Sequence, residues 1–264
     1  MAETGRLSAV PTMRIAGSPV LWLRVLIIVV VLAIWEAVAA SGLLYRDVVP
    51  SLVAIARATV NLLSNPEYYW NLGVTAGEVG TSLIIGGLSG LVVGLVLGGS
   101  RLLTKAYEPY LYYLGPTPKI IFFPIMIMWF GVGTGSKIAM GAISCFFPIA
   151  LSAAAGMRQI EPILIRVGRS FRANALQMAT KIYLPAMRHP IINGVRLGLG
   201  VAIIGTLLAE TKLSNSGIGF LIIQAYSLFD MPRMYAMLIV VFVLAISANA
   251  LIGWIGRLDR VKAR

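Results

Sequence analysis

The sequence predicts an all-α integral membrane protein with six transmembrane helices and one projecting cytoplasmic loop. Three observations carry the prediction. The 264 residues are 58% hydrophobic and only 12% charged, with a mean hydropathy of +0.87. Several apolar runs approach the roughly 20 residues that cross a bilayer as a helix, a form that satisfies every backbone polar group within the segment. The basic residues fall mainly on one side of the topology those runs imply.

The first run, residues 21–40, follows a basic lead-in, and Ala37-Val38-Ala39 imitates a signal-peptide cleavage site. Its length and the Trp35-Glu36 near its end favour a retained helix. Residues 50–65 place Val53, Ile55, Ala56, Val60 and Leu63 at helical spacing, which predicts an amphipathic helix on the outer surface of the protein or membrane. The second run, 79–99, carries Gly86, Gly90, Gly94 and Gly98 four apart, a side-chain-free stripe that lets another helix approach closely. The third and fourth runs are 107–130 and 138–155. The fifth, 191–208, repeats the small-residue spacing with Gly194 and Gly198. Such a stripe serves packing within the chain or a seam between two copies. Ser216-Gly217-Ile218-Gly219 then leads into an apolar stretch, 220–229, that is too short to span and is closed by Asp230-Met231-Pro232, as in a re-entrant or surface hairpin. The sixth run is 235–255.

Six spans return both termini to one side. With that side cytoplasmic, the inner segments hold Arg6, Arg14, Arg24, Arg101, Lys105, Arg158, Arg166, Arg169, Arg172, Lys181, Arg188, Arg196, Arg257, Arg260, Lys262 and Arg264. The outer segments hold Arg46, Arg57, Lys137, Lys212 and Arg233, with Lys119 left uncounted in the third run. This asymmetry predicts a multi-pass protein of the bacterial cytoplasmic (inner) membrane, both termini inside. It also makes the net charge of +12 chiefly a topology signal rather than the footprint of a nucleic-acid partner. Residues 1–20 read as a cytoplasmic N-terminal segment and 21–264 as a single transmembrane domain, with a loop at about 156–190.

Several chemistries find no support. Cys145, the single cysteine, lies in an apolar run, and His189 stands alone beside Pro190, so neither a disulfide framework nor a multi-donor metal site is expected. "GVGTGSK" at 131–137 imitates a phosphate loop but misses the G-x-x-x-x-G-K-[ST] spacing, and no strand precedes it. The chain therefore carries no nucleotide site of its own and reads as a non-enzyme that binds no cofactor; ATP, if used, is bound by another chain. The intramembrane charges are default functional candidates. Glu36, Glu78 and Arg196 read most simply as groups snorkelling or paired at span ends. Lys119, set among prolines in "GPTPKII", and Glu210 and Lys212, at the fifth-span exit, are candidates for a path or gate.

The basic loop has helical structure of its own. Glu161-Pro162 starts a helix on which Ile160, Leu164, Val167 and Phe171 share an apolar face while Arg166, Arg169 and Arg172 recur at threefold spacing. The pattern breaks around Ala173-Asn174. Asn174 with Gln177 forms a capping-box-like restart for a second short helix that Pro185 ends. Spacing alone allows a docking knob or an ordinary basic loop that holds topology.

The run "GRSFRANALQMATKIYLPAMRHPIINGVRLGLG" at 168–200 resembles the EAA loop of permease subunits of ATP-binding-cassette importers, in particular the nitrate, sulfonate, taurine and bicarbonate group. "PKIIFFPIMIMWFGVGTGSKI" at 118–138 and "LLAETKLSNSGIGFLIIQA" at 207–225 resemble that group's third span and its fifth-span exit. The resemblance extends over nearly the whole chain after Pro50. It implies the type I importer fold, with the loop as the coupling helix that seats in a partner ATPase, and Arg166, Gly168, Arg169, Phe171, Arg172, Asn174, Leu176, Met178 and Pro185 as coupling residues. It also implies an ATPase dimer holding ATP and magnesium, an extracytoplasmic substrate-binding protein, and a second permease copy, this chain or a paralogue. The cargo class implied is a small anion. Two positions depart from the pattern: the usual acidic residue falls on Arg166 and the usual glycine on Arg172, where a left-handed turn is costly and Asn174 would tolerate it better. A self-sufficient channel or secondary transporter, or a membrane enzyme, would instead show internal repeats, more intramembrane charges or a catalytic constellation.

Overall fold

The computed structural model describes residues 19–42 and 48–262, and of residues 255 and 257–262 the backbone alone. The described chain is helical throughout, with no strand among the described residues. It divides into two compact units at Ala54/Ile55.

In the first unit α1 (Pro19–Ser41) is apolar on every face and buries no residue. At its end Trp35 Nε1 donates to Pro50 O at 3.0 Å. Glu36 Oε2 accepts from Leu52 N at 2.9 Å, which sets an acidic group at the positive end of α2 (Leu52–Leu63), the amphipathic helix expected from the sequence.

The second unit is built on α3 (Pro66–Gly99), α6 (Thr134–Arg158) and α10 (Arg188–Lys212). α3 is capped by Asn65, whose side chain accepts from Glu67 N, and has Pro66 in its first turn. It begins thirteen residues ahead of the expected apolar run and carries Asn71, Thr75 and Glu78, polar in sequence, as buried residues. The glycine stripes lie inside the chain. A Cβ on Gly90 would stand 2.7 Å from Phe146 O, and one on Gly94 would stand 2.5 Å from Ala150 O and from Ala153 Cβ. Gly86 and Gly98 abut α6 in the same way, and Gly194 and Gly198 of α10 meet Ser152 and Ile149. Close backbone approach within one chain thus accounts for both stripes.

The third run is not one straight span. α4 (Arg101–Leu114) gives way at Gly115-Pro116-Thr117-Pro118 to a 3₁₀ turn (Lys119–Phe122) and α5 (Phe123–Phe130), with a 90° bend between the halves. Pro116 and Pro118 lack the N–H groups that a continuous helix needs there. Among the described residues five helices are long and apolar enough to cross a membrane, and six spans result when this bent pair counts as one.

After α6 come α7 (Pro162–Ser170), α8 (Ala175–Met178), a π-helical turn (Ala179–Tyr183) and α9 (Leu184–Ala186). Helical backbone continues through Pro185, so the stop expected there falls at Met187 instead. A proline in the first turn of a short helix removes no needed hydrogen bond. α11 (Ile218–Ser227) is the short hairpin helix, and α12 (Met231–Lys262) closes the chain.

Candidate functional site

Two groups of residues stand at opposite ends of α6, and the stretch from Lys137 to Arg158 separates them by about 32 Å. At the Arg158 end, Arg158 Nη1 donates to Glu108 Oε2 of α4 at 2.9 Å, and Nη2 stands 2.8 Å from Oε1 as an ion pair. Beyond it α7, α8 and the π turn form a knob. Gly168 is buried at their crossing, where a Cβ would meet the ends of the Ile182 and Met178 side chains and require them to shift.

α7 ends in a Schellman motif: Ala173 N donates to Gly168 O at 3.1 Å and Arg172 N to Arg169 O at 2.9 Å. The left-handed residue of that motif is Arg172, at φ 49°, and not Asn174. Asn174 sits at φ −73° as the cap of α8, its side chain accepting from Gln177 N at 2.8 Å while Gln177 Oε1 accepts from Asn174 N at 2.9 Å, the capping box expected from the sequence. Arg172 thus occupies the position where glycine is free of the Cβ penalty.

The knob's surface is basic and apolar together. Arg166, Arg169 and Arg172 are exposed, as are Phe171 (83%) and Leu176 (72%). Met178 is not part of that surface: it is buried beneath Gly168 and holds the knob's own interior. Pro185 is exposed at the far side.

At the other end, three charged side chains are almost wholly buried: Glu78 (2%), Lys137 (1%) and Glu210 (1%). They come from α3, α6 and α10. Glu210 Oε1 accepts from Thr75 Oγ1 at 2.7 Å and Oε2 from Gly219 N at 2.6 Å. Thr75 Oγ1 accepts in turn from Ile218 N at 2.8 Å, and Asn71 Oδ1 from Gly217 N at 2.7 Å. Three successive N–H groups at the start of α11 are therefore held by side chains of α3 and α10, with a carboxylate at the positive end of the helix. Gly217, at φ 99°, lies so close to the Glu210 carboxylate that no side chain fits there. Lys137 Nζ lies 4.0 Å from Glu78 Oε1, and its charge acts on both carboxylates. Neither oxygen of Glu78 has a hydrogen-bond partner among the described residues. What this arrangement does chemically is hold: it fastens the hairpin to the bundle through groups that are costly to separate in a dry interior.

The expected path or gate residues disperse. Lys119 lies at the α4–α5 bend, its Nζ donating to Gly115 O and to Thr117 O (3.3 Å) and standing 5.0 Å over the Phe147 ring. It satisfies carbonyls freed by the broken helix. Lys212 is exposed at the end of α10 and takes no part in the buried cluster. Its place is taken by Lys137, which the charge tally assigned to an outer segment. Glu78 lies twelve residues past Pro66 in α3 and is buried. The signal that could have found these groups is the spacing Asn71, Thr75, Glu78, Ser82, which runs on into Gly86, Gly90 and Gly94 as one helical face.

Comparison with known families gives this geometry its setting. Residues 88–260 match the model of the binding-protein-dependent transport system inner membrane component, a stretch that includes the knob, Lys137 and Glu210. The chain belongs to that family. Among its relatives is a Bacillus subtilis permease protein, SsuC, whose name assigns it to aliphatic sulfonates transport; it is 29% identical over 83% of this chain and 80% of its own length. The taurine transport system permease protein TauC of Escherichia coli is 28% identical over 74% and 73%, and the nitrate import permease protein NrtB of Synechococcus elongatus 26% identical over 86% and 85%. This is a multi-pass membrane permease of the ATP-binding-cassette importer type.

Proposed function

We propose that the chain forms, with a second copy of itself or a paralogue, the membrane path for a small anionic solute, and that the knob at residues 161–187 is the coupling element on which a separate ATPase dimer acts. In this reading both termini and the knob are cytoplasmic, ATP and magnesium reside on the ATPase, and an extracytoplasmic binding protein delivers cargo at the end that carries α11. The observation that carries the reading is the knob's exposed pair of large apolar residues, Phe171 and Leu176, on a scaffold whose inner residues, Gly168 and Met178, are buried. Apolar side chains displayed on a rigid, basic projection are what a grooved partner takes up, the aromatic as anchor and the arginines as rim. The anion as cargo rests on the relatives named for sulfonates, taurine and nitrate.

The test is ATP hydrolysis by the reconstituted complex, stimulated by loaded binding protein, together with co-purification of the ATPase. Phe171→Ala is expected to uncouple hydrolysis from uptake while the permease still folds, and Arg169→Ala to weaken assembly in a salt-sensitive way. If both variants assemble and hydrolyse as the parent does, the segment is a topology-holding loop. Native mass spectrometry of the complex reports the copy number, and one permease per ATPase pair would sink the two-copy arrangement.

A further inference from the structure

Arg196 lies eight residues past Arg188 in α10, about 12 Å along the helix axis from that end. Its Nε donates to Asn249 Oδ1 of α12 at 2.7 Å. The guanidinium lies flat on Gly253, where a Cβ would stand 3.2 Å from Cζ and 3.4 Å from Nε and Nη1. The rest of this seam is apolar: Leu199 packs with Ala248 and Ile252, and Ile192 fills the space over Gly256. Among the described residues no carboxylate pairs with Arg196, and neither Nη atom has a hydrogen-bond partner.

A guanidinium does not discharge in a protein, and it carries five N–H donors in a rigid fork. One donor is used to orient the group, and the Nη donors remain. An oriented, permanently charged fork inside a membrane span is matched by one chemical class, an oxyanion that accepts two parallel hydrogen bonds. We propose that Arg196, aimed by Asn249 and seated on Gly253, anchors an oxyanion-binding site at the α10–α12 seam. The ligand is either the phosphate of an anionic lipid headgroup or a free carboxylate or sulfonate. The proposal rests on α10 and α12 spanning the membrane and not on the partners assigned above.

The experiment uses the full-length permease in its purified complex, placed in nanodiscs of two kinds. In mixed phosphatidylglycerol and phosphatidylcholine discs, native mass spectrometry counts retained phosphatidylglycerol. In phosphatidylcholine discs, calorimetry measures binding of ethanesulfonate. Loss of a charge-assisted pair predicts that Arg196→Gln weakens one of the two by about ten- to a hundredfold. An effect in the first arm identifies a lipid site and an effect in the second a free-anion site. Asn249→Ala, which keeps the charge and releases the fork, is expected to weaken the same arm several-fold, and it decides the matter if Arg196→Gln does not assemble. Parent-like behaviour of the assembled variants in both arms overturns the proposal.

Discussion

The two ends of α6 handle polarity in opposite ways. At the Arg158 end the charges of the knob are outside and large apolar side chains stand exposed with them; the ion pair Arg158–Glu108 lies partly in the open. At the Lys137 end three charges, Glu78, Lys137 and Glu210, are inside, and buried oxygens take up the backbone of a neighbouring helix. The ends share one local device. Each closes a short helix with a Schellman motif whose left-handed residue is not glycine: Arg172 at φ 49° and Phe229 at φ 57°, the latter with Asp230 N donating to Ala225 O at 2.9 Å and Phe229 N to Tyr226 O at 3.1 Å. The difference therefore lies in what is buried. On the proposed reading the exposed apolar surface is completed by the ATPase, whereas an interior that buries charge is complete only while its helices keep their positions.

The largest expected effect removes the cation at the buried end. Lys137→Met leaves two carboxylates in a dry site and should destabilise the fold by about 3–5 kcal/mol, read as a fall in thermal midpoint in detergent. Adding Glu78→Gln should restore part of the loss; an unchanged midpoint in the single variant would mean that the site is hydrated and the contrast between the ends is weaker than drawn. Glu210→Gln replaces one of the two acceptor oxygens by a donor, so that Gly219 N–H or Thr75 O–H loses its acceptor. It should cost about 1–3 kcal/mol and raise amide exchange at residues 217–219, while the ATPase still co-purifies. Unchanged exchange there would show that α11 is held by Asn71 and Thr75 alone.

Changes at the exposed end should leave the fold nearly untouched. Phe171→Ala is expected to weaken ATPase association by about 2 kcal/mol, as loss of a buried aromatic anchor does, with the permease's own midpoint little altered. A drop in midpoint without loss of association would assign Phe171 to the bundle instead. Arg172→Gly relieves the left-handed strain and should stabilise the turn by up to about 1 kcal/mol, seen as slower amide exchange at Ala173. Faster exchange would show that the arginine side chain itself braces the knob. The smallest effect is that of Arg169→Ala, below about 1 kcal/mol in association and shrinking further as salt rises, because an exposed charge is screened. A salt-independent loss would place Arg169 inside the docked interface.

The knob was the more legible end. Its helix start at Pro162 and the capping box of Asn174 and Gln177 are local matters, set by residues within a few positions of one another. The buried cluster was not. Glu78 and Lys137 read as interfacial charges because each follows or precedes an apolar run, and hydropathy cannot report that two such positions face each other across a helix pair. Met178 misled in the opposite sense: the resemblance counts it among the coupling residues, yet it is buried beneath Gly168 inside the knob.

By itself the sequence determined the membrane class, the helical repertoire, the glycine stripes and the capped turns, since these follow from the energetics of backbone and side chain against lipid within single segments. The tertiary structure decided which stripe meets which helix, that the third span breaks by 90°, and that Glu78, Lys137 and Glu210 lie together. Those outcomes depend on contacts between residues far apart in the chain, Thr75 with Glu210 across 135 positions and Asn71 with Gly217 across 146, and such pairing is settled by the mutual fit of whole helices.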